Sequence, residues 1–139
     1  MRKSFIRSGS FFAMFAVIFG AFGAHTLEQV LNAEQLSTFE TAVRYQFYHS
    51  FALLFLGLWL YFRKTKMMEY AGLAFIIGII LFSGSLYVLS VKDWLNLQVN
   101  WLGPLTPLGG TFFIVGWCII LYASFQENGR VHRTETKEG

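Results

Sequence analysis

The sequence predicts an all-α integral membrane protein: a four-helix bundle with both ends cytoplasmic and its second helix extended on the outer side. Three observations predict it. Of the 139 residues, 55% are hydrophobic and only 14% are charged, where soluble domains carry about 25% charge. The charges leave four gaps, at 8–27, 45–62, 70–91 and 94–126, and about 20 apolar residues rising about 1.5 Å each cross a hydrocarbon core about 30 Å thick. Nine of the eleven Lys and Arg fall on one side of the spans so defined, the asymmetry that sets orientation in a membrane. A buried soluble core would show one polar stripe per helix, and LAFIIGIILF (73–82) has none. Sixteen Phe and four Trp exclude a disordered chain, which needs low hydrophobicity. The single Cys118 forbids an intrachain disulfide, and no zinc-type Cys/His spacing occurs.

The first span, about 8–26, follows a basic start, Arg2, Lys3 and Arg7. Ala21-Phe22-Gly23 also resembles a small-x-small cleavage site, but the apolar run is long for a signal peptide and fills a complete span. Ala16, Gly20 and Ala24 form a small-xxx-small row, with Gly23 beside it. Such rows let backbones approach where lipid gives no hydrophobic drive between helices.

The second helix begins near Ala33. Asn32 suits its N-cap, and Gln35 three residues on completes a variant capping box. Leu36, Phe39, Val43 and Phe47 recur at helical steps. From Ala33 to Phe62 this helix measures about 45 Å, so its first turns project beyond the span at 45–62. Glu40 and Arg44 stand at i,i+4 there, a surface pair worth about 0.3 kcal/mol.

The third span covers about 70–91, with Gly84 between Ser83 and Ser85. The last gap is too long for one span; Gly103, Pro104 and Pro107 divide it, leaving 94–106 as an outer loop and 107–125 as the fourth span. Thr106 then reads as N-cap and Pro107 as the first helical residue, where a missing N–H costs nothing. Gly109, Gly110, Phe113 and Gly116 supply the packing face of this helix. Trp94 and Trp101 suit the head-group level. Residues 1–126 form the transmembrane domain and 127–139 a charged cytoplasmic tail.

Arg2, Lys3, Arg7, Arg63, Lys64, Lys66, Arg130, Arg133 and Lys137 lie on one side, against Arg44 and Lys92 on the other, which makes both termini cytoplasmic. These short clusters border spans, so they suit anionic lipid head groups and require no nucleic acid. With that orientation His25, Tyr45, Gln46, His49, Ser83, Ser85, Tyr87, Thr106 and Thr111 all lie toward the outer face. Embedded polar groups turn inward and find partners. Either they bond one another and fix helix register, each bond worth about 0.6 kcal/mol, or they line a pocket for a lipid head group, a small solute or a cation.

A metal would need His25 and His49 to converge with Glu28 or Tyr45; no HxxxH or HExxH spacing supports it, so no metal is expected. Enzyme signatures are absent too: no span holds a carboxylate, and no GxSxG elbow or phosphate-binding loop occurs. Ser83 or Ser85 activated by His49 is the one conceivable nucleophile.

The motifs GAFGAH (20–25), YQFYH (45–49), FSGSLY (82–87) and LGPLTPLGG (102–110) followed by GW (116–117) together resemble domain-of-unknown-function family 423. This is the UPF0382 family of YgdD- and YwdK-like proteins, related to the transmembrane protein 256 group. The resemblance covers about residues 5–125. It implies a small multispanning protein of the bacterial plasma membrane and marks His25, Tyr45, His49, Ser83, Ser85, Pro104 and Pro107 as motif positions. It brings no cofactor and no catalytic residue. The expected function is a non-enzymatic accessory or organising component that meets the bilayer and holds its helices, or a bound lipid or solute, through the outer polar groups. The rivals are a transporter or channel formed by a homo-oligomer, and a lipid-modifying enzyme.

Overall fold

The computed structural model describes residues 2–63 and 65–135; Lys64 and Lys137 of the orientation count, and the end of the charged tail, lie outside them. Among the described residues there are helices and no strand. Helix α1 (Arg2–His25) leads through a 3₁₀ turn (Leu27–Gln29) to α2 (Ala33–Phe62). The start of α2 is where its sequence places it. The Gln35 N–H donates to Asn32 Oδ1 at 2.9 Å, and the Asn32 N–H donates to Gln35 Oε1 at 3.0 Å, so each side chain satisfies the other residue's otherwise orphaned backbone donor.

Helices α3 (Lys66–Gly78) and α4 (Gly84–Val91) are joined by a π-helical turn, Ile79–Ser83, into one rod. Beyond α4, Asn96 takes a φ of 53°, and the N–H groups of Leu97 and Asn96 close on the carbonyls of Lys92 and Asp93 at 2.7 and 3.3 Å. This is the double closure of a left-handed helix cap, which asparagine tolerates. A second 3₁₀ turn (Asn100–Leu102) precedes α5 (Leu105–Glu135). The expected Thr106 cap is shifted: α5 already includes Leu105, so Thr106 and Pro107 both lie in its first turn. Proline is tolerated there because those N–H groups have no intrahelical partner.

Burial is inverted relative to a soluble protein. Phe11, Val17, Phe51, Leu58, Ile80, Ile114 and Leu121 are exposed, while Gln46, His49, Ser50, Ser83, Ser85 and Ser90 are buried. Against lipid this is the favourable arrangement, because only the polar groups need protein partners. The stretches Lys3–Gln29, Lys66–Val91 and Leu105–Gln126 are long and apolar enough to cross a membrane. The sequence led us to expect four such helices. Helix α2 has the length but falls short in apolarity, because Gln46, His49 and Ser50 occupy its buried face.

Helix α2 packs against α1 and against the α3–α4 rod, and α5 packs against that rod. The α1–α2 contact runs along small residues: Gly9 faces Leu54 and the Ser50 carbonyl, Ala16 is buried, Gly20 faces Val43 and Gly23 faces Phe39. The contact between α3 and α5 is built differently. The Phe75 ring sits on Gly116 and the Phe113 ring on Gly78, while the Phe82 backbone runs against Gly109, three close approaches in one antiparallel register. Phe5 of α1 fills the notch at Gly72 in the same way.

Candidate functional site

Residues that the sequence groups at the outer face are distributed over three levels. The central level is organised around His49, which is 5% exposed. Its Nδ1 lies 2.7 Å from the Tyr45 carbonyl oxygen, and the Trp117 indole N–H donates to its Nε2 at 3.2 Å. A carbonyl only accepts and an indole N–H only donates. The ring is therefore the neutral tautomer with its proton on Nδ1, and both nitrogens are engaged. One face is occupied as well: His49 stacks on Phe113 with centroids 3.5 Å apart and planes within 7°, and the tilted Phe75 ring lies 5.3 Å away. Since Phe113 also fills the notch at Gly78, this level falls midway along the α3–α4 rod and well inside the apolar part of α5. Helix spacing places His49 on the correct face, but the depth of the group is greater than the outer rim.

The neighbouring polar groups on α2 are satisfied by backbone. The Gln46 carboxamide donates to the Phe12 carbonyl of α1 at 2.8 Å, and Ser50 Oγ donates to the Gln46 carbonyl at 2.6 Å. Ser83 is buried in the π-helical turn, and its hydroxyl has no hydrogen-bond partner.

The second level joins α4 to α5. Ser85 Oγ donates to the Phe82 carbonyl at 3.0 Å, which leaves it to accept from Thr106 Oγ1 at 2.7 Å. This replaces the capping role expected of Thr106. Thr111 turns back on its own helix, to the Pro107 carbonyl at 3.0 Å. The Tyr87 ring packs between Phe19 and Phe39, with centroids at 4.9 and 5.0 Å, and its hydroxyl is buried without a partner.

His25 forms the third level by itself. It ends α1, is exposed, and its carbonyl accepts from Gln29 Nε2 at 3.2 Å. Tyr45 is 40% exposed, with its ring 4.7 Å from Phe82. His25 and His49 therefore do not converge, and among the described residues no three His, Cys, Asp or Glu side chains gather as metal ligands would. The conceived Ser–His pair is not assembled either, because Tyr45 and Trp117 hold both nitrogens of His49.

The glycines differ in what they meet. A Cβ on Gly109 would collide with the Phe82 backbone and one on Gly116 with Phe75; on Gly23 it would press tightly against the Phe39 ring at 3.1 Å, whereas on Gly20 and Gly110 it would make ordinary contact. At Gly84 it would meet nothing within 4 Å, so Gly84 has no helix-packing role in this chain. Sequence reasoning missed three features: the partnership of Trp117, the notches at Gly9, Gly72 and Gly78, and a bond from Gln35 Nε2 to Asp93 Oδ2 at 3.0 Å that ties the start of α2 to the loop after α4. The GW pair at 116–117 was the available signal for the first.

Residues 19–110 match the model of a family described as a protein of unknown function, DUF423. A UPF0382 membrane protein of Staphylococcus saprophyticus is 41% identical over 124 residues, 89% of this chain and 98% of the relative. The UPF0382 membrane protein YwdK of Bacillus subtilis is 41% identical over 127 residues, covering 88% of this chain and 96% of its own length. One from Haemophilus influenzae is 36% identical over 126 residues, covering 91% and 97%. No solved structure matches the chain. The chain belongs to the DUF423 family of bacterial membrane proteins.

Proposed function

We propose, with that membership as premise, that the chain is a non-enzymatic four-span protein of the bacterial plasma membrane, with both termini cytoplasmic, serving as an accessory or organising component. In this reading its embedded polar groups hold the helices in register. One observation carries it: both nitrogens and one face of His49 are taken up by neighbouring side chains and backbone, leaving no free lone pair for a substrate, a metal or a proton relay. Each such bond is worth about 0.6 kcal/mol in a membrane protein, which suits a register device.

The four-span reading is supported by packing. Helix α2 lies along α1 from Gly9 opposite Ser50 to Gly23 opposite Phe39, so a slab of lipid crossed by α1 encloses α2 as well. Orientation is supported by the grouping of Lys3, Arg7, Arg63 and Lys66: the Phe5–Gly72 and Gly9–Leu54 contacts bring the start of α1, the end of α2 and the start of α3 to one end. That is the basic end, and the positive-inside rule makes it cytoplasmic.

Compartment reporters fused to the two termini are expected to report the cytoplasm from both; opposite compartments would overturn the topology. Liposomes containing the purified protein are expected to hold ion and solute gradients as empty liposomes do. A flux that disappears in His49→Ala would overturn the structural role and favour an oligomeric transporter.

A further inference from the structure

We infer that Glu40 and Arg44, with the crevice beside them, bind the head group of one outer-leaflet phospholipid that carries both a phosphate and a primary ammonium. The inference rests on the four-span reading and is independent of the role given to His49. The charge gaps set both residues beyond the second span, but the packing of α2 brings them within the bilayer. His49 stacks on Phe113, which sits on Gly78 midway along Lys66–Val91. Arg44 is five residues nearer the outer end of α2, about 7 Å along the axis. Helix α1 gives a similar depth: Gly20, which lines one crevice with Arg44, is four residues past the middle of Lys3–Gln29, about 6 Å. Half of the hydrocarbon core is about 15 Å. Arg44 therefore starts well inside it, and Glu40, about 6 Å further out, starts near its boundary.

Three observations identify the occupant. Both side chains are exposed, and at this depth exposure is to lipid, where a charged group persists by reaching toward the interface or by meeting a counter-charge. The Arg44 guanidinium reaches outward, donating to Thr41 Oγ1 at 3.2 Å. That bond engages one of its five N–H donors, and the remaining fork suits a phosphate. The order of the charges is the second observation. Arg44 lies deeper than Glu40. In an aminophospholipid the phosphate is joined to the glycerol while the ammonium ends the head group, so the phosphate is the deeper charge and each group meets its opposite at its own level. A second copy offers no such match, because a two-fold axis along the bilayer normal sets equivalent residues at equal depth and puts like charge level with like. Space is the third. The crevice, about 180 Å³, is lined by Gly20 and Gly23 of α1 and by Phe39 and Val43 of α2 beside the two charges, and the glycines carry no side chain to close it.

The test is native mass spectrometry of the full-length protein, purified in detergent and titrated with phosphatidylethanolamine or phosphatidylglycerol of identical acyl chains. One phosphatidylethanolamine is expected to bind per chain, about tenfold more tightly than phosphatidylglycerol, whose head group leaves Glu40 without a cation. Arg44→Gln is expected to weaken phosphatidylethanolamine binding about tenfold, the loss of one charge-assisted contact. Glu40→Gln is expected to erase the preference between the two lipids. Glu40→Arg combined with Arg44→Glu keeps the net charge and the i,i+4 spacing but inverts the order, so binding stays as weak as in Arg44→Gln. Glu34→Gln, in the first turn of α2, leaves both lipids unaffected.

No bound lipid, equal affinity for the two lipids in the parent protein, or binding indifferent to Arg44→Gln would overturn the inference. With both terminal reporters in the cytoplasm it falls alone; reporters in opposite compartments would remove the four-span reading, and the depth of Arg44 with it. Protein dimers that dissociate in Arg44→Gln would overturn it in favour of a second copy.

Discussion

Two helix pairs in this protein solve one problem by different means. Helices α1 and α2 approach along Gly9, Ala16, Gly20 and Gly23, where small residues meet the sides of Leu54, Val43 and Phe39. Along α3, its π-helical turn and α5, rings are set into notches, Phe75 on Gly116 and Phe113 on Gly78, and the Phe82 backbone lies against Gly109. Lipid tails are as apolar as the side chains they would replace, so neither pair is held by hydrophobic transfer; close packing and hydrogen bonds must hold both. The difference teaches where tolerance lies. At Gly20 the facing Val43 methyl leaves room for a Cβ, whereas Gly9, against the Ser50 carbonyl, and the notches under Phe113 and Phe75 leave none.

The sharpest contrast comes from adding one side chain to each seam. Gly109→Val drives its Cβ into the Phe82 backbone and is expected to destabilise the protein by about 3 kcal/mol, at the upper end of overpacking costs. Thermal unfolding in detergent reads this directly, and a variant as stable as the parent would break the comparison. At the join of the pairs, His49→Leu leaves the part-buried Trp117 N–H unpaired, at an expected cost of about 2 kcal/mol. Combining it with Trp117→Phe in a double-mutant cycle is expected to give a coupling of about 0.6–1.7 kcal/mol; zero coupling would mean the bond contributes nothing. Ser85→Ala removes the link to Thr106 and is expected to cost about 0.6 kcal/mol in the same melting experiment. The smallest effect belongs to the α1–α2 seam: Gly20→Ala places a Cβ 3.4 Å from a Val43 methyl and should change stability by less than about 0.5 kcal/mol.

The same contrast explains what was legible beforehand. Local chemistry read well: the Asn32–Gln35 capping box depends on residues three apart, and the apolar stretches that became α1, the α3–α4 rod and α5 depend on composition alone. Faces read well too, since helical spacing put Gly109, Phe113 and Gly116 together. What stands opposite a face did not. Trp117 and His49 are 68 residues apart, and their meeting depends on a register set by the Phe–Gly notches, which no periodicity encodes. Depth failed for the same reason: charge gaps locate span ends to within a turn or two, and α1 paired with α2 further along than those gaps implied. Gly84, which by spacing resembles the other glycines, differs from them only in what surrounds it.

The account's central claim is that His49 is a neutral, fully engaged element of helix register. Nitrogen-15 solid-state NMR on labelled protein in lipid bilayers tests it most directly. One ring proton on Nδ1, with a through-space correlation from the Trp117 indole N–H to Nε2, is the predicted result. A proton on Nε2, or no contact between these rings, would contradict it.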